Sequence, residues 1–310
     1  MRAAVLHEYG TPHFGEFAEP VASQDQVVVE VEAAAVNPFD LVLTSGTSAT
    51  RPALPCVVGT DGVGRLPDGR RVYFASTAAP FGAAAERAMV DPNAVLELPP
   101  TLDAGVGAAL GMAGSAAWLS LTWRGRLTPG ETVLVLGASG TAGSIAVQLT
   151  KLLGAGRIIA AGRDPDRLRR ARELGADECV PLDAADTGDR LAEAVGPGAD
   201  LIIDLTWGAP AVSAMSAAAT GARLVQVGSG AGDEAAVPAG IVRGKALAIL
   251  GFGNFHAPRD ERLDAYRQLA DMATSGRISV ELERVPLDDV ALAWERQRTG
   301  AHCKQILIPS

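Results

Sequence analysis

The sequence predicts an α/β protein built as a small β unit followed by a doubly wound parallel sheet. Three observations predict it. Up to about residue 100, short β-branched runs are separated by Gly, Pro and Asp clusters, with little helical periodicity. From residue 132 onward, continuous apolar runs alternate with helical spacing, the pattern of strands buried on both faces and joined by crossover helices. Between the first of those runs and its helix lies a glycine-rich turn, residues 137–143.

Each element follows in order. Val27–Ala33 is a strand, and Asn37-Pro38, Pro52 to Pro55 and Pro67-Asp68-Gly69 are turns, so the first hundred residues read as an all-β unit. Leu102 to Leu127 is Ala-rich and suits one or two helices, ended by the Pro129-Gly130 turn. Thr132–Leu136 is a buried strand. Thr141–Leu153 carries apolar residues at 145, 149, 152 and 153, and Gly154 stops it. Arg157–Ala161 is the second strand, and Arg167–Leu174 the second helix, stopped by Gly175. Leu201–Leu205, Arg223–Val227 and Ala246–Leu250 are further buried strands. Asp260–Gly276 is an amphipathic helix, and Val280–Val285 and Gln305–Ile308 are strands. The expected domains are 1–105, completed by 256–310, and 106–255.

Composition narrows the function. The chain has 310 residues, 48% hydrophobic, which is too apolar for a disordered protein. A net charge of −9 argues against nucleic acid, whose phosphates need Lys and Arg to displace counterions. Cys56, Cys179 and Cys303 are few, odd in number and far apart, as in a reducing compartment. The N-terminus lacks an apolar stretch of signal-peptide length, and no uninterrupted run of 18 apolar residues occurs. A cytoplasmic protein without membrane attachment is expected.

The sharpest motif is Gly137-Ala138-Ser139-Gly140-Thr141-Ala142-Gly143. Between a buried strand and a helix, such a turn lets backbone N–H groups meet a pyrophosphate at the positive end of the helix, and Ser139, Gly140, Thr141, Ala142 and Gly143 are the candidate contacts. The spacing is GxxGxxG, and an ordinary tight turn is the alternative. An NAD site carries a carboxylate at the end of the second strand. Here Gly162 stands there, followed by Arg163, with Arg167 one helical turn on. Guanidinium groups suit a 2′-phosphate, which favours NADPH. Asp164 and Asp166 are the counter-evidence, and solvated arginines the plainer reading.

Together with Ala35-Val36-Asn37-Pro38-Phe39-Asp40, Gly46, Val58-Gly59-Thr60-Asp61-Gly62-Val63-Gly64, Arg172-Glu173-Leu174-Gly175-Ala176-Asp177 and Pro286-Leu287-Asp288-Asp289-Val290, the loop carries a resemblance over nearly the whole chain. The sequence resembles the zinc-independent quinone oxidoreductase branch of the medium-chain dehydrogenase/reductase superfamily. The resemblance implies a GroES-like β domain plus a Rossmann domain, NADPH as cofactor, and a homodimer through edge strands, with 246–250 as the candidate edge. Zinc ligands of alcohol dehydrogenases in the superfamily fall here on Asn37, Val42 and Thr60-Asp61, and Asn, Val and Thr do not replace them. Four histidines, His7, His13, His256 and His302, are scattered, so no metal is expected. Without a Lewis acid, oxidation of simple alcohols is disfavoured, and an electrophilic acceptor, a quinone or an α,β-unsaturated carbonyl, is the expected substrate.

The resemblance also implies site residues. Asn37 is the candidate substrate-side donor, or else caps the turn before Pro38. Asp40 orients the loop or relays a proton, or else caps a helix. Thr206, Gly228, Ser229, Phe252, Gly253 and Asn254 follow strand ends where ligands bind in parallel sheets. Lys304 brings a cation towards the cofactor, or is a solvated strand residue. The chain departs from its relatives at Val42, where many carry Tyr, and at Ala116, where a Thr commonly faces the nicotinamide. Those changes make the pocket more apolar and leave a second function open, a non-catalytic NADPH-binding redox sensor or scaffold.

Overall fold

The structure, a computed structural model, describes residues 1–183, 186–300 and 303–309. The chain divides into two compact units, one of residues 1–113 with 266–310 and one of residues 114–265.

In the first unit, the β-branched run becomes β3 (Val27–Ala35), preceded by β1 (Arg2–Leu6) and β2 (His13–Glu16). The all-β expectation needs a correction here, because α1 (Pro38–Thr44) interrupts the strands. At seven residues it is too short to show periodicity in sequence; it starts because Pro38 has a fixed helical φ and no N–H to leave unbonded. Then come β4 (Cys56–Val57), β5 (Asp61–Arg65), β6 (Arg71–Ala75), β7 (Arg87–Val90), β8 (Val95–Glu97) and α2 (Ala104–Ala109). β1 lies between β2 and β4 in a small sheet. The larger sheet runs β15-β16-β3-β5-β6-β8, with β7 on β3, where β15 is Leu282–Pro286 and β16 is Lys304–Ile308. β16 pairs antiparallel with β3, Ile306 opposite Ala35, so the chain's end completes the sheet its beginning starts. Val29, Phe74, Val90, Val290 and Trp294 are among the residues that fill this core.

In the second unit, the helical run continues through α3 (Ser115–Leu119), followed by β9 (Thr132–Leu136), α4 (Thr141–Leu152), β10 (Arg157–Gly162), α5 (Pro165–Glu173), β11 (Glu178–Pro181), α6 (Thr187–Val195), β12 (Ala199–Asp204), α7 (Gly208–Ser216), β13 (Ala218–Gln226), α8 (Ala239–Lys245) and β14 (Ala248–Gly251). All six strands are parallel, in the order β11-β10-β9-β12-β13-β14. The order reverses at β9, the switch point of a Rossmann sheet, and β14 is an edge. Leu134, Leu136, Ile159, Ile202 and Leu224 are fully buried, as two-sided burial of the apolar runs requires. α9 (Arg259–Thr274) and α10 (Val290–Thr299) complete the helices; α10, like α6 and α7, is not separable from loop in the sequence.

The GroES-like plus Rossmann fold class is therefore the one the sequence predicts. The helix Ala104–Arg124 is long and apolar enough, by length and composition, to cross a membrane, although the sequence has no unbroken apolar run of that length; most of it is buried inside the protein. It contains two π-helical stretches, Leu110–Gly114 and Ser120–Arg124.

Candidate functional site

The second unit gathers its candidate residues at the C-terminal ends of its parallel strands. β9 is followed by Gly137, whose φ of +83° only glycine adopts easily. The Gly137 and Ala138 N–H groups donate to the Ala161 carbonyl at 2.8 and 3.0 Å, pinning the loop to β10. The first bond of α4 runs from Ser144 N–H to Gly140 O, so the N–H groups of Thr141, Ala142 and Gly143 have no acceptor within the helix. A β-carbon on Gly143 would lie 2.2 Å from Gly137 O, so helix and loop approach as closely as they do only because residue 143 is glycine. Close backbone approach and a helix N-terminus with open N–H groups fit a phosphate-bearing cofactor.

β10 ends at Gly162, where a β-carbon would meet Ser139 Oγ at 2.7 Å. Arg163 is exposed and Arg167 half-buried on α5. The two aspartates that count against NADPH in sequence are both engaged. Asp164 caps α5, accepting from Asp166 N–H at 2.9 Å and Arg167 N–H at 3.1 Å. The Asp166 carboxylate pairs with Arg169.

After β12, Asp204 Oδ1 accepts from Thr206 N–H and Oγ1–H at 2.8 Å each and from Trp207 N–H at 2.9 Å. Thr206 thus spends both its donors on Asp204. Burial raises the Asp204 carboxyl, against these donors. Gly228 N–H donates to Asp204 O at 3.2 Å, and a β-carbon on Gly228 would meet Leu205 O at 2.9 Å. Ser229 follows it, its carbonyl accepting from Gly232 N–H. Phe252 N–H donates to Gln226 O, and its ring meets Trp123 edge-on at 6.3 Å. Gly253 and Asn254 open a 3-10 turn.

The first unit holds a buried polar cluster. Asn37 ends the extended segment of β3 and caps α1. Asp40, in the first turn of α1, accepts the Asn37 backbone N–H at 2.7 Å. β5 runs antiparallel to β3, which brings Thr60 and Asp61 alongside Asn37; β16 does so from the other side and sets Lys304 opposite it. Asn37 Nδ2 donates to Asp40 Oδ2 at 3.1 Å and Asp61 Oδ1 at 2.8 Å, and Asn37 Oδ1 accepts from Lys304 Nζ at 2.5 Å. Lys304 Nζ also donates to Val36 O at 2.8 Å. Thr60 Oγ1–H donates to Asp40 Oδ1. Tyr73 O–H and Met112 N–H each donate to Asp61 Oδ2 at 3.0 Å. Tyr73 stacks on Tyr266 at 4.0 Å, and Tyr266 O–H donates to Gly107 O at 2.8 Å.

Burial dominates the electrostatics of this cluster. It raises Asp40 against the donors from Thr60 and Asn37 and against Lys304. It pushes Asp61 up to about 6, against Lys304 and reinforced by the charge of Asp40. It lowers Lys304, which the two carboxylates partly restore. It pushes Tyr266 well up, helped by Asp61.

The structure thus brings Asn37, Asp40 and Lys304 together. Lys304, grouped with the cofactor residues by sequence, has its ammonium on Asn37. Asn37 is 2% exposed, and both N–H groups of its side-chain amide are used internally. Asp61, Thr60, Tyr73 and Tyr266 join the cluster without having been marked as site residues by the sequence. Only the run Thr60-Asp61, noted for the absence of zinc ligands, pointed to the place. Val42, by contrast, is 49% exposed on α1. Among the described residues, no three His, Cys, Asp or Glu side chains come together as a metal site. Among the described residues, Cys56, Cys179 and Cys303 form no disulfide. His302 lies outside the described residues.

Residues 142–273 match the zinc-binding dehydrogenase family. That stretch holds one histidine, His256, and one cysteine, Cys179. Human quinone oxidoreductase is 29% identical, the match covering 99% of this chain and 98% of that protein. Quinone oxidoreductase of Lama guanicoe is 31% identical over 74% of this chain and 73% of its own. The solved quinone oxidoreductase of Thermus thermophilus, described also in complex with NADPH, superposes with a TM-score of 0.84 at 28% identity, covering 99% of this chain and all of that one. That of Pseudomonas syringae shares the fold, with a TM-score of 0.89 at 23% identity over 99% and 98% of the two chains. On fold, motifs and relatives alike, the chain belongs to the zinc-independent quinone oxidoreductase branch of the medium-chain dehydrogenase/reductase superfamily.

Proposed function

We propose that this chain is an NADPH-dependent reductase of a quinone or an α,β-unsaturated carbonyl that works without a metal. The observation that carries the reading is the cradle at the end of β9, where residue 143 must be glycine to let loop and helix N–H groups converge. Ser139 to Gly143 hold the pyrophosphate. Arg163 and Arg167 take the 2′-phosphate, supported by Gly162 in place of a carboxylate and by the engagement of Asp164 and Asp166 elsewhere. Thr206, Gly228, Ser229 and the Phe252-Gly253-Asn254 segment line the nicotinamide half, at strand ends. When bound, the reduced cofactor supplies a hydride.

The chain's own residues position and polarise. Residues 106–255 take the cofactor, and residues 1–105 with 256–310 the substrate. Asn37 and Asp40 form the polar floor of the substrate side, with Lys304 as its cation. The metal-free reading rests on residue type, since Asn37, Val42 and Thr60 stand where the superfamily's zinc enzymes carry ligands. Three cysteines, odd in number and far apart in sequence, accord with a cytoplasmic protein. A homodimer through β14 is supported by its edge position and by Ile249, 39% exposed.

The internal use of both Asn37 amide hydrogens favours one second reading, an NADPH-binding sensor without turnover. Titration with NADPH and NADH, followed by the reduced-nicotinamide absorbance with a simple quinone and a simple enone, separates the two. Oxidation of NADPH supports the reductase, binding without oxidation supports the sensor, and no binding refutes both.

A further inference from the structure

We propose that Asp61 is a positioning residue for this reaction, the group that fixes the orientation of Asn37 and through it the seat of the Lys304 ammonium. For kinetics the proposal rests on the reductase reading above; its geometry does not.

An asparagine amide has one acceptor oxygen and two N–H donors, and can sit either way round. Here one orientation is imposed. Asp61 Oδ1 and Asp40 Oδ2 face the amide from one side and Lys304 Nζ from the other. A flip would turn the amide oxygen towards two carboxylates and the NH2 towards an ammonium. Asp40 alone does not secure this, because it is already committed to the Asn37 backbone N–H and to Thr60. Asp61 supplies the second acceptor from a different strand.

Asp61 is itself fixed. It is fully buried, and three donors converge on it: Asn37 Nδ2, Tyr73 O–H and Met112 N–H. A β-carbon on Gly111 would lie 2.1 Å from Asp61 Oδ2, so the carboxylate packs against the helix backbone in space that only a glycine leaves open. The charged and titratable groups facing it are Asp40 from α1, Lys304 from β16, Tyr73 from β6 and Tyr266 from α9. Two carboxylates thus lie in the field of one ammonium, and protonation of Asp61 would turn a charged acceptor of the Asn37 amide into a weaker, neutral one.

The test uses the full chain in three forms, wild type, Asp61→Asn and Tyr73→Phe. Asparagine occurs only at 37, 93 and 254, so 15N-asparagine labelling gives three side-chain NH2 signals in the wild type and in Tyr73→Phe, and a fourth, from residue 61, in Asp61→Asn. In the wild type, the Asn37 signal should titrate with a midpoint near pH 6, and in Asp61→Asn that step should vanish. With NADPH and a quinone, Asp61→Asn should lower kcat about tenfold or more, leave KM for NADPH within about twofold, and remove the acid limb of the pH–kcat profile. Tyr73→Phe takes a donor from the charged carboxylate, so it should move the limb and the NMR midpoint to higher pH. An Asn37 signal flat from pH 5 to 8 in the wild type overturns the proposal, as does an Asp61→Asn profile that superposes on the wild type after scaling. Should Asp61→Asn not fold, the wild-type titration and Tyr73→Phe decide. A wild type that oxidises no NADPH but shows the Asn37 titration refutes the reductase reading and leaves the positioning of Asn37 standing.

Discussion

The hydroxyl of Ser139 lies 2.7 Å from the point a β-carbon on Gly162 would occupy. A side chain at 162 therefore requires Ser139 to move, and the carboxylate typical of NAD enzymes cannot be added alone. Gly162→Asp should lower the melting temperature and weaken NADPH without gaining NADH affinity. The double variant Ser139→Gly/Gly162→Asp should regain stability and shift preference towards NADH. Melting curves and both cofactor Kd values check this. NADH binding gained by Gly162→Asp alone, at unchanged Tm, would show that Ser139 is no barrier.

Arg163→Ala/Arg167→Ala should raise Kd for NADPH about 100-fold or more, since hydrogen bonds to a charged group contribute about 1.5–3 kcal/mol each and two are removed. NADH binding should stay within about twofold. Equal losses for both cofactors, measured by fluorescence titration, would place the two guanidiniums elsewhere than at a 2′-phosphate.

Gly143→Ala forces a methyl against Gly137 O, a backbone atom that cannot rotate away. The expected cost is about 1–3 kcal/mol of stability, as for overpacking generally, with dinucleotide binding lost before the fold is. Urea unfolding together with a cofactor titration separates the two effects.

Stability should fall as pH rises through Asp61's range. Its carboxyl moves from an ordinary 3.8 up to about 6 because burial disfavours the charge. Below about pH 4 it is protonated in folded and unfolded chains alike. Between 3.8 and about 6 the unfolded chain ionises first, so unfolding is progressively favoured. The accumulated loss above pH 6 is on the order of 3 kcal/mol. Asp40, raised for the same reason, acts in the same direction. Urea midpoints at pH 4.5 and 7.5 should differ less in Asp61→Asn than in the wild type, and parallel behaviour would contradict the assignment.

Asn37→Ala takes one acceptor from Lys304 and one donor from each of two buried carboxylates. A loss on the order of 2–4 kcal/mol is expected, because unsatisfied buried charged groups are costly. Asn37→Asp adds a third carboxylate, so it should be worse at pH 8 than at pH 5. Denaturant titrations at the two pH values read this directly.

Much of the second unit was legible in sequence because its signals are local. The apolar runs at 132–136 and 201–205 are strands, Gly154 and Gly175 stop helices, and the glycines at 137 and 143 mark a close approach that the folded chain makes. The first unit was less so. α1 is two turns long, and its capping by Asn37 and Asp40 looks in sequence like any turn before proline. The polar cluster was the least legible part. Asn37, Asp61 and Lys304 meet because β5 and β16 flank β3, and no spacing in the chain announces a pairing across 267 residues.

The π-helical stretch Leu110–Gly114 has a mechanical consequence. Tyr266 O–H holds Gly107 O at one turn of the helix, and Asp61 holds Met112 N–H at the next. Tyr73 closes the circuit, bonded to Asp61 and stacked on Tyr266. Helix, strand and aromatic pair therefore form a clasp without a loose end. The helix cannot screw along its own axis by a residue without opening that clasp at both points at once. A one-residue deletion between Gly107 and Met112 would change the spacing of the two holds and leave a buried carboxylate stripped of a donor.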